Sequence, residues 1–386
     1  MKFIINTLLI YSFLIFGISA RANEHINTMA DFAHVIDFES NRVLLSKNAD
    51  SPMKPASMAK IMTLYIIFSR IAEGSLTLED EFMVSEKAWK MGGSRSFLDV
   101  GTRVTVEELI NGIAVQSGND AAVVVAEGIS GSEELFADEM NSVAQQLGME
   151  GTNFTNSTGW PDSMLKTTAK DLTILAAALI RDFPIKEYPN LYPVFAKPNY
   201  TYNNIKQPNR NPLIDKSPGA DGLKTGSTRE SGYGLVGSAE RNGQRIILVL
   251  NGLESKKQRS LEANRLMDFM FREYKNYTFF EAGETVSTAD IWLGKEATIP
   301  LVLEKGLSKV LSRSERNNTK LTINYNNPIQ APVVIGDEVG TLWIEVNGVR
   351  EEVPLTAGMN VEQLPVISRV SEAIKYLIFG AAPSLN

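Results

Sequence analysis

KPASMAKIMT, residues 54–63, opens an apolar segment that runs on to Gly74 and places Lys60 one helical turn after Ser57. The apolar residues do not keep to one stripe, which is typical of a helix buried on most sides. Pro55 suits a first helical turn and Gly74 a C-terminal stop, so the sequence predicts a buried helix between them. Because lysine is rarely buried without a reason, Lys60 either escapes to solvent or has a chemical role.

The elements predicted around this helix indicate an α+β fold. A β-hairpin is expected over 30–50 and a helix after the 105–108 capping box. Further helices are expected from about 121, over 132–147 and over 168–181, then strands at 221–226, 232–240 and 244–252 and a helix over 257–275. This order predicts an antiparallel sheet whose first and last strands pair, with helices packed around it.

The N-terminus has the parts of an export signal. Lys2 supplies a positive charge, an apolar stretch follows, and Ala20-Arg21-Ala22 has the form of a signal peptidase site. We therefore expect residues 1–22 to be a signal peptide and the mature chain to begin outside the cytoplasm. The alternative is an uncleaved membrane anchor.

The C-terminal part is predicted to differ in character from the rest. Strand patterns follow one another after residue 277, and no helix is expected before residue 366. We therefore predict a main domain over 23–276 and a small all-β domain, a β-sandwich, over 277–365. Residues 366–386 are expected to form an amphipathic helix and tail, too short and too charged to span a bilayer. This helix either lies flat on a membrane surface or docks on its own domain.

Composition excludes several classes of function. The 386-residue chain has a net charge of -7 and no basic run, which argues against nucleic acid as a partner. It has no cysteine, so it lacks disulfides, thiolate metal sites and a thiol nucleophile. Its two histidines, His25 and His34, lie near the start, which makes a Ser-His triad improbable. No metal or organic cofactor is implied.

Ser57 and Lys60 have the spacing of a nucleophile and its base. Residues three apart on a helix share a face, with Cβ atoms roughly 5–6 Å apart. A neutral lysine could take the serine proton, but its pKa must then fall by about 2–3 units. The same Ser-x-x-Lys spacing occurs at Ser51 and at Ser163, but only the pair at Ser57 opens a buried helix.

Two further tripeptides suggest a site. Ser117-Gly118-Asn119 interrupts two predicted helices, where a serine could relay a proton and an amide could hold a carbonyl. Lys224-Thr225-Gly226 lies on a predicted strand, where glycine would let a ligand backbone approach closely. Each tripeptide alone is equally well explained by capping residues or by an exposed strand end. Both in one chain, in this order, are rare.

Together the three motifs resemble those of penicillin-recognising serine enzymes. The chain is most similar to the low-molecular-mass D-alanyl-D-alanine carboxypeptidases, the family of penicillin-binding proteins 5 and 6, over about 30–380. The resemblance implies a serine β-lactamase/transpeptidase-like fold and removal of the terminal D-alanine from peptidoglycan pentapeptide stems, in cell-wall maturation and shape. It also implies β-lactam inhibitors and a periplasmic enzyme attached peripherally to the cytoplasmic membrane by its C-terminal helix.

The resemblance also implies roles for the first two motifs. Ser57 corresponds to the nucleophile that forms the acyl-enzyme, and Lys60 to its proton acceptor. Ser117 and Asn119 correspond to the second-motif pair. We further expect Lys224 to help lower the pKa of Lys60.

The third motif corresponds to the strand that binds substrate, here Lys224, Thr225 and Gly226. The family's oxyanion hole uses the backbone N–H groups of the nucleophile and of the residue after this motif, Ser227, where close relatives often have histidine. Arg259 matches an arginine that faces the active site, and Arg259 and Lys224 are the candidates for binding the substrate's carboxylate. The alternative for Arg259 is a solvated helix residue.

Other activities are alternatives to this one. A class A β-lactamase would add a glutamate that activates the deacylating water, but residues 151–170 contain none. Weak β-lactamase, endopeptidase or transpeptidase activity on the same fold is an alternative. A non-catalytic penicillin-binding module is a further alternative, opposed by the intact motifs.

Overall fold

The computed structural model describes residues 26–379. The predicted signal peptide and the last seven residues of the predicted tail lie outside the described residues.

Up to residue 273, the strands of the main sheet come from the two ends of the sequence, and the helices and four short strands lie between them or follow them. The strands are β1 (Phe32–Asp37), β2 (Val43–Lys47), β3 (Glu81–Met83), β4 (Arg103–Thr105), β5 (Asn199–Tyr202), β6 (Ile205–Pro208), β7 (Ala220–Thr228), β8 (Gly232–Arg241) and β9 (Gln244–Leu253). The helices are α1 (Lys60–Ala72), α2 (Glu86–Lys90), α3 (Val106–Val115), α4 (Asn119–Ser130), α5 (Glu133–Gln146), α6 (Ala169–Asp182) and α7 (Lys256–Glu273).

A five-stranded antiparallel sheet joins the two ends of this part, in the order β2-β1-β9-β8-β7. The predicted pairing of the first and last strands is therefore confirmed. Helix α7 packs on one face of the sheet, and α1, α6 and the other long helices pack on the opposite face. Strand β7 is at the edge of the sheet, so one side of its backbone is open for a ligand to pair with.

The predicted buried helix is present as α1. Eight of its thirteen residues are buried, and Lys60, its first residue, is completely inaccessible to solvent. Ser57 is not in the α-helix itself but in a 3₁₀ turn, Ala56–Ala59, that leads directly into it. Such turns are common at helix starts, and the serine therefore still lies one turn before the lysine.

The C-terminal part is mostly β-structure, as predicted. Its strands are β10 (Tyr274–Phe280), β11 (Thr285–Trp292), β12 (Thr298–Val302), β13 (Leu307–Ser312), β14 (Lys320–Tyr325), β15 (Ile329–Gln330), β16 (Glu338–Val346) and β17 (Val349–Ala357). A two-stranded sheet, β10-β13, and a six-stranded sheet, β14-β16-β17-β12-β11-β15, contribute to one apolar core. The expectation of no helix before residue 366 is wrong, because a short helix α8 (Arg313–Asn318) follows β13.

One ion pair joins the two parts. Arg42, in the β1–β2 hairpin, lies 2.6 Å from Glu315 of α8 and donates to the backbone carbonyl of Val310. Its guanidinium also lies 5.7 Å from the ring centre of Tyr274. Since α7 runs directly into β10, the two parts are held both by the chain and by this contact.

Helix α9 (Val366–Phe379) ends the described chain. Six large apolar side chains on it are between 50% and 87% exposed: Val366, Ile367, Val370, Ile374, Leu377 and Ile378. The alternative of a helix docked through its apolar face on its own domain does not match this exposure. Within residues 26–379, no helix is long and apolar enough to cross a membrane.

Candidate active site

The nucleophile candidate sits on a strained turn. Ala56, directly before Ser57, has φ +48°, which is unfavourable for a residue with a side chain. A Cβ on Gly159 would come within 1.8 Å of the Ala56 carbonyl oxygen, so only glycine fits against this turn. Backbone strain of this kind gathers at functional sites.

Lys60 connects two of the three motifs. Its Nζ donates to Ser57 Oγ at 3.1 Å, to Asn119 Oδ1 at 2.6 Å and to the Thr158 carbonyl at 2.6 Å. Asn119 is fixed in turn, because its Nδ2 donates to the Gly92 carbonyl at 2.7 Å. The structure therefore brings Ser57, Lys60 and Asn119 together.

The pKa of Lys60 is lowered from 10.5 to about 7. Burial is the largest cause, since it disfavours the ammonium, and the charge of Arg210 adds to it; Asp120 and Glu133 oppose the shift. Lys224 was expected to be the cation that helps, and the repulsion between the ammonium groups of Lys60 and Lys224 disfavours the charge on both lysines. Arg210 is a further cation that lowers the pKa of Lys60.

Lys224 is almost fully buried on β7, and its pKa is well below the usual value for lysine. Burial is the main cause, and the charges of Lys60, Arg210 and Arg259 follow. Its Nζ donates to the Thr225 carbonyl at 3.1 Å. Four basic side chains thus influence one another around the third motif.

Arg210 is the functional candidate that the sequence analysis missed. It lies in the loop before β7, and its Nη1 donates to the Ser94 hydroxyl. Burial lowers its pKa. The surrounding stretch QPNRNPL has no motif, and the residue acts on Lys60 through space, so no sequence signal could have identified it.

Ser117 lies between α3 and α4, where the predicted break between two helices is confirmed. Its φ is +68° and its side chain is buried. Its hydroxyl has no hydrogen-bond partner among the described residues. A buried hydroxyl without a partner is costly, which is consistent with a group that exchanges protons with a bound substrate.

Gly226 also has a packing role, beside the predicted close approach of a ligand. A Cβ there would lie 2.7 Å from the Pro55 carbonyl oxygen and 3.1 Å from the Met58 backbone nitrogen. Glycine therefore lets β7 pack against the turn that carries Ser57. Thr225 is buried, and Ser227 is exposed at the strand edge.

Arg259 is only 6% exposed, which contradicts the alternative of a solvated helix residue. Its Nη1 donates to the Gly234 carbonyl at 3.2 Å and lies 3.5 Å from the Gly226 carbonyl oxygen. Burial lowers its pKa to about 10 against the opposing influence of Tyr233, so it stays charged at neutral pH. It forms no ion pair with an acid in the described part of the chain, so its charge is available to an anionic ligand.

The arrangement can perform acyl transfer. It combines a serine with an adjacent lysine of lowered pKa, a second serine hydroxyl, an open strand edge and buried cations that favour an anion. No cluster of three His, Asp or Glu residues that could hold a metal ion occurs within residues 26–379.

Comparison with known proteins identifies relatives of both parts. The family model described as D-alanyl-D-alanine carboxypeptidase matches residues 19–254, and that of the penicillin-binding protein 5 C-terminal domain matches residues 274–363. D-alanyl-D-alanine carboxypeptidase DacF of Bacillus subtilis is 35% identical over 377 residues, which cover 95% of this chain and 97% of the relative.

Two solved structures extend the similarity to the fold. The D-alanyl-D-alanine carboxypeptidase DacD from Francisella tularensis is 29% identical, with a TM-score of 0.73 over 88% of this chain and 95% of that one. Penicillin binding protein 5 from Haemophilus influenzae is 31% identical, with a TM-score of 0.70 over 88% of this chain and 99% of that one.

Proposed function

Since this chain belongs to the D-alanyl-D-alanine carboxypeptidase family, we propose that it removes the terminal D-alanine from peptidoglycan stems through an acyl-enzyme on Ser57. The class of enzyme, a serine D-Ala-D-Ala carboxypeptidase, follows from the family. The assignment of roles to individual residues is our proposal. The observation that carries it is the 3.1 Å contact of Lys60 Nζ with Ser57 Oγ, together with a lysine pKa of about 7.

Acylation begins with neutral Lys60 taking the proton of the Ser57 hydroxyl. The Ser57 oxygen attacks the carbonyl carbon of the penultimate D-alanine, and the backbone N–H groups of Ser57 and Ser227 stabilise the oxyanion. The C–N bond then breaks. The proton on Lys60 passes through the Ser117 hydroxyl to the nitrogen of the leaving D-alanine.

Deacylation repeats these steps with water. Lys60, neutral again, takes a proton from a water molecule that attacks the ester carbonyl. The ester C–O bond breaks, the proton returns to Ser57, and the shortened stem leaves as a carboxylate. Asn119 remains bonded to Lys60 and holds the base in position.

Binding of the substrate's C-terminal carboxylate is assigned to Arg259 and Lys224, with the electrostatic support of Arg210. Buried cations without an acidic partner favour a carboxylate strongly. Pairing of the peptide with the open edge of β7 holds its backbone, with Thr225 and Gly226 next to the scissile bond. β-Lactams carry a carboxylate next to a strained amide and are expected to acylate Ser57 in the same way.

Fast β-lactam hydrolysis is not favoured by the surroundings of the site. Glu133 influences Lys60, but one of its oxygens accepts from Ser157 at 2.8 Å and the other lies 3.1 Å from Lys87 Nζ. A glutamate held in this way is not free to activate water.

We also propose where the enzyme works. Export would remove residues 1–22, the catalytic domain would occupy 23–276, and the small β domain 277–365. The exposed apolar side chains of α9 support attachment of residues 366–386 to the outer face of the cytoplasmic membrane.

Replacing the nucleophile tests the assignment. Ser57→Ala should abolish both D-alanine release from a peptide ending in D-Ala-D-Ala and covalent labelling by penicillin, because Ser57 Oγ is the hydroxyl to which Lys60 Nζ is hydrogen-bonded. Ser163→Ala, which alters a second Ser-x-x-Lys pair, should leave both activities unchanged. Penicillin label found on Ser51 or Ser163 in the Ser57→Ala enzyme would contradict the assignment.

A further inference from the structure

Glu133, the first residue of α5, is a buried carboxylate that takes no direct part in the reaction described above. Its Oε1 accepts from the backbone nitrogen of Ser157 at 3.2 Å and from the Ser157 hydroxyl at 2.8 Å. Its Oε2 lies 3.1 Å from Lys87 Nζ on α2. A carboxylate is costly to bury unless it is paired and hydrogen-bonded. These contacts meet that requirement, and they fix the position of Ser157.

Ser157 is followed directly by Thr158, whose carbonyl holds the base. Lys60 Nζ donates to this carbonyl at 2.6 Å. Ser157 is also held from α1, because its own carbonyl accepts from Thr63 Oγ1 at 2.7 Å. Ser157 and Thr158 are both at most 1% exposed, so neither has room to move independently. Glu133 is therefore connected to Lys60 through two consecutive buried residues.

The same segment contacts the turn before α1. Gly159 follows Thr158 and packs against the carbonyl of Ala56, directly before Ser57. A shift of Ser157 would therefore be passed on to the surroundings of the nucleophile as well as to the base.

Glu133 also acts on Lys60 through its charge. It favours the ammonium, as does Asp120 on α4, whereas burial and the charge of Arg210 favour the neutral amine. Repulsion from Lys224 on β7 disfavours the ammonium too. Removal of the charge of Glu133 would therefore move this balance towards the neutral amine.

The next residue of α5 provides a natural comparison. Glu134 Oε1 lies 3.3 Å from the same Lys87 Nζ, but the side chain of Glu134 is 78% exposed. Its other side-chain hydrogen bond is with Ser132 and not with Ser157. Glu134 therefore has the same charge and the same cation as Glu133 without the connection to the active site.

We propose that Glu133 is a positioning residue for Lys60, with a geometric effect and an electrostatic effect that can be separated. Through Ser157 it fixes the Thr158 carbonyl, which orients the amine of Lys60 towards Ser57. Through its charge it stabilises the ammonium that carries the proton between the nucleophile and the leaving D-alanine. The proposal rests on the proposed role of Lys60 as the base, and it adds to the site a residue outside the three motifs.

Two variants of the full-length enzyme separate these effects, with the second-order rate constant for penicillin acylation measured from about pH 5 to 9. Glu133→Gln keeps an oxygen for Ser157 but removes the charge. Its midpoint should move to lower pH, and its rate at about pH 6 should be about twofold above the wild type, with a normal plateau at high pH. Glu133→Asp keeps the charge but has a shorter reach. Its plateau should fall about tenfold, with the midpoint nearly unchanged.

Glu134→Gln is the matched control and should leave both the midpoint and the plateau unchanged. Thermal unfolding of the three variants distinguishes a loss of fold from a loss of position. A midpoint and plateau that neither Glu133 variant alters, or that Glu134→Gln alters equally, would overturn the proposal. A wild-type enzyme that releases no D-alanine while penicillin still labels Ser57 would instead contradict the carboxypeptidase function.

Discussion

Lys60 is subject to opposing influences that leave it ready to act as a base. Its three hydrogen-bond acceptors favour the ammonium, whereas complete burial and Arg210 favour the neutral amine. The outcome is a pKa of about 7. A catalytic base is most effective when its pKa lies near the working pH, so both forms are available at neutral pH.

The rate of acylation should follow this titration. Since only neutral Lys60 accepts the Ser57 proton, the second-order rate constant for penicillin should rise about tenfold per pH unit below pH 7 and level off above it. Arg210→Gln removes a repelling cation, so the midpoint should move to higher pH. Lys60→Arg cannot deprotonate and should lose several orders of magnitude in rate while remaining folded. A flat profile between pH 5 and 8 would argue against the base role.

Binding of the substrate's C-terminal carboxylate by Arg259 or Lys224 can be tested with an amidated peptide. Converting the peptide's C-terminus to an amide should lower kcat/KM by about 100-fold in the wild type, because buried cations lose their anion. The amide should matter much less in Arg259→Gln or Lys224→Gln, whichever residue is the true partner. Equal sensitivity in both variants and in the wild type would show that neither binds the carboxylate.

Single residues could be predicted from the sequence only where a motif marks them. Ser57 and Lys60, the proposed nucleophile and base, are recognisable because they lie within one helical turn of each other. Arg210 and the Thr158 carbonyl are different, since they reach Lys60 from distant parts of the chain. Contacts between segments that no pattern relates become visible only in the folded structure.

At the scale of elements, the packing of β7 against the 3₁₀ turn positions the third motif. Gly226→Ala would bring a methyl group to 2.7 Å from the Pro55 carbonyl, and this backbone cannot move without shifting Ser57. We expect a stability loss of about 1–3 kcal/mol and a fall in acylation rate of at least tenfold, measured by thermal unfolding and penicillin labelling. Ser227→Ala is the matched control, because it keeps the backbone donor and its side chain is exposed; its acylation should be nearly normal.

How well a helix or strand could be predicted depended on the capping residues, turn residues and apolar period in its own sequence. The strands predicted at 232–240 and 244–252 are present as β8 and β9, and the turn at Asn242-Gly243 joins them. Helix α8 was missed although Ser312 and Glu315 form a capping box. Six residues are too few to show an apolar period, so the cap was its only signal.

For the whole molecule, the proposed attachment through α9 can be tested by truncation. A chain ending before Pro365 should be released from isolated membranes as a soluble enzyme with normal D-alanine release. The six large apolar side chains of α9 named above are at least half exposed, so loss of this helix should leave the thermal stability of the β domain unchanged. A truncated protein that stays with the membrane after signal cleavage would place the anchor elsewhere, and an unfolded β domain would show that the helix is structural.

The contact of Arg42 with Glu315 has a consequence for the reach of the enzyme if α9 attaches it to a membrane as proposed. With the hairpin in contact with α8, we expect Ser57 to sample fewer heights above the C-terminal helix than it would on a flexible tether. For an enzyme attached to a surface, the effective concentration of a substrate then depends on its distance from that surface. Peptidoglycan stems at the matching distance from the membrane would be hydrolysed first, so the enzyme would select its substrates by their distance as well as by their chemistry.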